Sequence, residues 1–146
     1  MYPKVYLYRR IVQSKLFIDS HYPDIIDIDN IANEAFYSKF HFIRSFKKIY
    51  GKTPHQYLIS VRIEKAKALL ENGVSIAEVC HSVGFDSISS FCGLFKRMVD
   101  KTPSLYQKQQ RITRADIIKV PLKYIPHCFA EKNEWLKKSN FQEVIL

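Results

Sequence analysis

Apolar residues recur every three or four positions along residues 1–110, which is the spacing of one face of an α-helix. This pattern predicts a first helix over residues 6–20 and a long helix over 54–71. Thr53 can cap the long helix and Pro54 fits its first turn, while an Asn-Gly pair supplies a stop. No strand is predicted in this part of the chain, so the predicted fold class is all-α.

The long helix has one predicted apolar side, on which or near which lie Tyr57, Leu58, Val61, Ala68 and Leu69. At the usual rise per residue, the helix is roughly 27 Å long. The sequences before and after it are similar to each other, which makes it a predicted linker between two like units.

The repeat has a constant offset of 49 residues. Phe42 corresponds to Phe91, and the pairs Phe46-Lys47 and Lys52-Thr53 correspond to Phe95-Lys96 and Lys101-Thr102. Because the offset is kept without a gap, the pattern indicates a duplicated structural unit.

Each copy is predicted to contain a short helix, a tight turn and a second helix that begins at a serine, which is the helix-turn-helix pattern. The short helices are predicted over 28–35 and 76–82, and the second helices start at Ser38 and Ser87. Six phenylalanines are assigned to the two cores, and Ile49 also points inward: Phe36, Phe42, Phe46, Phe85, Phe91 and Phe95. The predicted divisions are a first module of about 5–52, the linker helix 54–71, a second module of about 74–109 ending in a short helix, and an extension over 111–146.

The extension differs in character from the rest of the chain. Pro121 and Pro126 interrupt its apolar residues, so neither a long helix nor a central strand is expected, apart from one or two helical turns around Trp135. A partly irregular tail and a small interaction arm are both compatible with this composition.

The charge of the chain indicates the chemical class of its partner. A net charge of +9 and a pI near 9.5 favour an anionic partner, nucleic acid before an acidic membrane. The basic residues are spread over both modules, whereas a membrane surface would select one basic amphipathic helix. No apolar run approaches the roughly 20 residues of a membrane span. The three cysteines are widely spaced, which is typical of reduced thiols, so a cytoplasmic location is expected.

Candidate chemistry for an enzyme is sparse. Cys80-His81 and His127-Cys128 are the only Cys/His pairs, and neither has the spacing of metal ligands. Cys80 also corresponds to Ile31 of the first copy, a core position. There is no phosphate-binding glycine loop. The sequence therefore predicts no enzyme, no metal and no cofactor.

The motifs now described resemble the DNA-binding domain of the AraC/XylS family of bacterial transcription regulators. The resemblance covers roughly residues 5–108 and includes Ile31-Ala32, Ser38 to Lys48, Gly51 to Pro54, Tyr57, Arg62, Ala66, Leu69-Leu70, Ile76 to Val79, Val83 to Phe85, Phe95 to Arg97, Thr102-Pro103 and Tyr106. It implies about seven helices and two recognition helices that enter adjacent major grooves of double-stranded DNA. Because two modules on one chain can fill two grooves, a monomer on DNA is expected, with RNA polymerase as a further candidate partner. No room remains for a ligand-sensing domain, so the chain is expected to be either a short stand-alone regulator or the DNA-binding portion of a longer protein, and the Met at position 1 favours the first.

The family resemblance also assigns roles to residues. The positions of Phe40, Ile43 and Arg44 are those aimed at base edges, and Lys39 is exposed beside them. Arg44 can pair with guanine, and Phe40 fits either a thymine methyl or the core. The base-reading positions of the second module are Ile88, Ser89, Ser90 and Cys92, together with Gly93, where many relatives carry arginine. Gly93 predicts weaker base reading by this module.

Phosphate contacts are predicted from basic side chains and from helix starts with free N–H groups: Ser38, His41, Lys47, Lys48, Lys52, Thr53, Ser87, Lys96, Arg97, Lys101 and Thr102. Each lysine taken alone is equally compatible with a solvated surface charge. Arg62 and Glu64 are interpreted as structural partners. The alternative function is a protein-interaction adaptor, whose helix-turn-helix surfaces bind polymerase or another regulator.

Overall fold

The computed structural model describes residues 2–27, 29 and 38–126, which form two compact units divided between Pro103 and Ser104. The elements within these residues are helices α1 (Tyr2–His21), α2 (Lys39–Tyr50), α3 (Pro54–Glu71), α4 (Ile76–Ser82), α5 (Ile88–Val99) and α6 (Pro103–Lys119), and a 3-10 turn at Pro121–Tyr124. These residues contain no strand, and the predicted all-α class is confirmed. The helix predicted over 28–35, the core position of Phe36 and the turns around Trp135 lie outside them.

Local side-chain chemistry sets where the helices begin. The side chains of Ser38, Thr53, Ser75 and Ser87 each accept a backbone N–H from the residue three positions on, as the sequence predicts. At Thr53 the cap is reciprocal, because Gln56 Oε1 also accepts the Thr53 N–H at 3.0 Å. These caps satisfy donors that the helices cannot satisfy internally.

The second helices of the two modules, α2 and α5, also end alike. Gly51 follows α2 with φ 75°, and Asp100 follows α5 with φ 62°, and each donates its N–H to the carbonyl four residues earlier. The left-handed conformation suits Gly51, whereas Asp100 adopts it as a non-glycine residue. The duplication is therefore present in the backbone as well as in the sequence.

The core of the first module lies between α1, α2 and α3. Its buried residues are Leu7, Ile11, Ile18, Phe42, Phe46 and Leu58. Beside it, the Tyr57 hydroxyl donates to Asp19 at 2.7 Å and Lys15 approaches the same carboxylate at 2.6 Å. Burial raises the pKa of Asp19, but these hydrogen bonds outweigh burial and leave the pKa below its ordinary value. The contact ties α1 to the start of α3.

The core of the second module has the same aromatic basis. Phe85, Phe91 and Phe95 are buried, with ring centroids 5.4 and 5.7 Å apart in sequence order. The predicted core position of Cys80 is confirmed, since its side chain is fully buried and its thiol donates to the Phe85 carbonyl at 3.7 Å. Removal of apolar surface from water is the principal stabilising contribution in both modules.

The predicted single apolar face of α3 is wrong. Its buried residues are Pro54, Leu58, Ile63, Ala66 and Leu70, while Ala68 is exposed and Tyr57, Val61 and Leu69 are half-buried. On a helical wheel the first two buried residues lie about 120° from the last three. The two halves of α3 therefore bury different sides, because α3 serves two cores.

Two further predictions are wrong. Ile49 is exposed rather than inward, because Tyr50 instead packs on Phe46 with ring centroids 4.8 Å apart. The last helix was predicted to end at about Gln109, but α6 continues to Lys119. No proline or glycine interrupts the residues between Pro103 and Pro121, and Pro121 then disfavours helix at the residue before it.

Arg62 connects the two modules. From α3 its guanidinium donates to the Tyr22 carbonyl at 2.7 Å and to the Asp24 carbonyl at 2.9 Å, both just after α1. The same guanidinium lies 5.7 Å from the ring centroid of Phe85 in the second module. Burial lowers the pKa of Arg62, and the charge of Asp86 opposes that shift. Its predicted structural role is confirmed.

Gly84 makes the second contact between the modules. It has φ 91°, and a Cβ built on it would lie 2.6 Å from the Pro23 carbonyl oxygen, a backbone atom that cannot turn aside. Only glycine allows the turn of the second module to approach the end of α1 this closely.

We predict that Gly84→Ala lowers the free energy of unfolding by about 2–3 kcal/mol, from backbone strain and from the clash. Gly73→Ala is the matched control, because Gly73 has φ 83° but no atom of the part of the chain that the structure describes lies within 4 Å of an added Cβ. That control loses only the backbone contribution, about 1 kcal/mol. Urea denaturation followed by circular dichroism measures both. Equal losses for the two variants would contradict the close contact.

Candidate nucleic-acid interface

The first candidate surface is the start of helix α2. Ser38 caps it by accepting the His41 N–H at 3.3 Å, which fixes the direction in which its first turn projects. Lys39, His41 and Arg44 are exposed, and Phe40 is 77% exposed. The core alternative for Phe40 is therefore wrong. An exposed phenylalanine next to cationic side chains suits a partner that is both anionic and partly apolar.

Two predicted base-reading residues of α2 have other contacts. Ile43 is half-buried and packs against the core of the first module, so only part of it is accessible. Lys39 forms an ion pair with Asp29 at 2.6 Å, in which both side chains stay about half exposed. A solvent-exposed pair of this kind contributes little to stability, so a phosphate or a base could displace Asp29.

The second candidate surface is the start of helix α5. Ser87 accepts the Ser90 N–H at 3.1 Å, and its hydroxyl donates to the Ser90 Oγ at 2.9 Å. Ile88, Ser89 and Ser90 are exposed, and Cys92 is half-buried. Gly93 is exposed in the middle of the helix. This surface has smaller and less charged side chains than the start of α2.

In each module, cationic side chains come after the candidate surface in the sequence. Lys47 and Lys48 lie in the last turn of α2, and Lys96 and Arg97 lie in the last turn of α5. Lys52 and Lys101 come just after these helices, and all six side chains are exposed. None of the six forms an ion pair with another described residue. They therefore contribute positive potential at equivalent places in both modules.

The start of α3 differs from the prediction. The Thr53 N–H is bonded to Gln56 Oε1, and the Thr53 hydroxyl accepts the Gln56 N–H at 3.2 Å. The expected free N–H at Thr53 is therefore wrong, although Thr53 as a phosphate contact stays a prediction. The matching start of α6, Thr102, is exposed.

His55 is a candidate that sequence reasoning missed. It is exposed, and it lines a cleft of about 320 Å³ together with Asp29, Lys39, Ile43, Thr53 and Pro54. Its position one residue after Pro54 places it at the start of α3, beside the cations of α2. The sequence signal was a histidine in the first turn of a predicted helix, which is too common to select it.

The described part of the chain offers little for other kinds of site. It contains no group of three or more histidine, cysteine and acidic residues that could hold a metal ion. Burial raises the pKa of the Cys80 thiol, which disfavours the reactive thiolate. His127 and Cys128 lie outside the described residues. No helix among those described has the length and apolar character that a membrane crossing requires.

Comparison with known proteins gives consistent results. The family model of a helix-turn-helix domain matches residues 31–109. The probable transcription factor PqrA of Proteus vulgaris is 38% identical over 84 residues, covering 57% of this chain and 69% of that protein. The uncharacterised HTH-type transcriptional regulator YdeC of Bacillus subtilis is 35% identical over 100 residues, 68% of this chain. This chain spans only 34% of the length of YdeC, and 31% of that of the MmsAB operon regulatory protein of Pseudomonas aeruginosa.

Solved structures share the fold. The DNA-binding domain of AdpA, crystallised with a target DNA, aligns with a TM-score of 0.67 and 29% identity over 72% of this chain and 96% of that one. An AraC-type regulator from Chromobacterium violaceum aligns with a TM-score of 0.63 and 22% identity, over 70% of this chain and 93% of that one. Helix order, the duplicated caps and these matches agree, and the chain belongs to the AraC family of helix-turn-helix transcription regulators.

Proposed function

We propose that the chain is a sequence-specific DNA-binding transcription regulator that inserts α2 and α5 into adjacent major grooves of a promoter site. The observation that carries the proposal is the equivalence of these two helices. Each has a serine cap, an exposed first turn, a buried phenylalanine pair and two cations in its last turn. Family membership supports DNA binding, as does the crystallisation of the AdpA domain with a target DNA.

The connection between the helices supports simultaneous binding. The linker helix is roughly 27 Å long, and successive major grooves lie roughly 34 Å apart. The widths of the packed helices add to the length of the linker, and the sum is comparable to the spacing of the grooves. The hydrogen bonds of Arg62 and the close approach of Gly84 oppose rotation of one module against the other. A preorganised pair loses less conformational freedom on binding than two flexibly joined modules.

The two helices divide the recognition unequally. Arg44 on α2 has the fork geometry that pairs with guanine O6 and N7, and exposed Phe40 fits a thymine methyl. On α5 the exposed serines offer short hydroxyls, and neither charged nor long polar side chains lie in its first two turns. The six exposed cations hold phosphates on both sides. The first half-site thus supplies most of the sequence preference.

The remaining parts of the proposal follow from this role. Two modules on one chain fill two grooves, so the chain acts as a monomer on DNA, with RNA polymerase as a further partner in the cytoplasm. No step of the proposed function requires catalysis or a cofactor, and the chain is proposed not to be an enzyme. A protein-interaction adaptor is the competing outcome of the test below.

Selection from a randomised duplex pool tests the proposal. We expect enrichment of a motif with two half-sites about one helical turn apart. Affinity for this motif should fall steeply with salt, because about 6 to 8 phosphate contacts release counterions. A titration from 50 to 300 mM salt by fluorescence anisotropy measures the slope. The absence of enrichment at every salt concentration would favour the adaptor.

The role of Arg44 has its own test. Arg44→Ala should relax the preference at one position of the first half-site and cost about 1–3 kcal/mol there, because the bidentate contact to guanine is lost. Lys48→Ala is the matched control, since removing a phosphate contact should weaken all sequences alike and reduce the salt slope by about one. Repeated pool selection with each variant separates the two patterns. A uniform loss for Arg44→Ala contradicts base reading.

Changing the rotation of one module about the axis of α3 tests whether the linker is rigid. Inserting two alanines after Val61, between the residues of α3 that are buried on one side and those buried on the other, should turn one module by about 200° against the other and abolish binding to the two-part motif. The same insertion after Arg111 on α6 is the control and should leave binding intact. Circular dichroism and a melting curve establish first that both insertion variants are folded. Retained two-part binding by the folded linker variant would refute simultaneous insertion.

A further inference from the structure

Gly93 has no role in the fold that the structure reveals. It is the sixth residue of the twelve-residue helix α5, and its backbone does not have a positive φ. A Cβ built on it would meet no heavy atom of the described residues within 4 Å. The residue is exposed, so alanine would fit there without displacing any described neighbour.

The other three glycines of the chain contrast with Gly93. Gly51, Gly73 and Gly84 all have positive φ, and Gly84 is also held against the Pro23 carbonyl. Each of these three is required by its backbone conformation. Glycine in the middle of an exposed helix instead weakens that helix relative to alanine. Nothing in the described part of the fold calls for glycine at 93, so its small size can matter only to a partner at the exposed surface of α5.

The position of Gly93 within the repeat indicates what that partner is. With the offset of 49 residues, Gly93 corresponds to Arg44, the proposed guanine reader of α2. Exposed Ser89 and Ser90 lie one turn before it, and exposed Lys96 and Arg97 lie one turn after it. Gly93 thus occupies the centre of the surface that α5 presents to DNA in the proposed function.

We infer that Gly93 is the point at which α5 approaches the second major groove most closely, with its bare backbone against the C5-methyl of a thymine. The inference deepens the proposed function and rests on it. Gly93 lies inside a regular helix, where its N–H and carbonyl bond within the helix, so it offers a base no donor and no acceptor. A polar base edge would be left unpaired against it, whereas the thymine methyl needs only apolar contact. The preference of α5 for a base thus comes from the room that its small side chains leave for the thymine methyl.

Adding a methyl group to the protein and removing one from the DNA tests this inference. On the duplex selected by the wild-type chain, the half-site unaffected by Arg44→Ala is assigned to α5. Each thymine in that half-site is then replaced in turn by deoxyuridine, which lacks only the C5-methyl. Gly93→Ala should bind the thymine duplex about tenfold more weakly than wild type, within the range of a single base-pair mismatch. At one position deoxyuridine should weaken wild-type binding and restore binding by Gly93→Ala, because the two methyl groups compete for the same space.

Stability serves as the internal control. Gly93→Ala should raise Tm by about 3 °C, since alanine favours the helix. Ala68→Gly, a reverse change at an exposed position of α3, should lower Tm and leave Kd unchanged. If Gly93→Ala binds the thymine duplex as tightly as wild type, or if no deoxyuridine position restores its binding, the inference is overturned while the proposed function stands. If the wild-type chain enriches no duplex, both are overturned.

Discussion

The arrangement of the two modules depends on the contacts of one half-buried cation. Arg62 lies on the linker helix, yet its hydrogen bonds go to carbonyls after α1 and its planar face lies against Phe85. A guanidinium is suited to this position because it is planar, stays charged when partly buried and donates in several directions. The hydrogen bonds offset the cost of desolvating the charge. Without these contacts, the modules would be joined by the linker helix and by the approach of Gly84 to Pro23.

Arg62 can act in this way because each module is stable around its own aromatic pair. Phe42 with Phe46, and Phe91 with Phe95, lie one helical turn apart and are fully buried. With one side of α2 and of α5 buried, the opposite side of each helix is directed to solvent. The serine caps fix where that exposed side begins. The same few residues thus determine the core and the orientation of the reading surface.

The sequence allows the caps and most of the core to be predicted, because serine caps, turn glycines and apolar spacing act over a few residues. It did not allow the buried sides of α3 to be predicted, since these depend on which module each half of the helix contacts. The ion pair of Lys39 with Asp29 and the contact of Gly84 with Pro23 are likewise tertiary. The end of α6 at Lys119 does not follow from the sequence for a different reason: the prolines at 121 and 126 predict that the extension has no long helix, yet both lie beyond the end of α6. On the candidate interface, the exposure of Phe40 settled an alternative that its apolar character had left open.

The separation of the buried residues of α3 into two sides has a consequence for sequence variation in this fold. Leu58 faces one core and Ile63, Ala66 and Leu70 lie about a third of a circumference away, so a change in one set leaves the surroundings of the other intact. The core of each module can therefore accumulate substitutions without compensating changes in the core of the other module. Arg62 and Gly84 are the exceptions, because they belong to both halves at once. A lineage with this architecture could therefore diversify its two DNA-facing helices separately while the geometry between them is inherited unchanged.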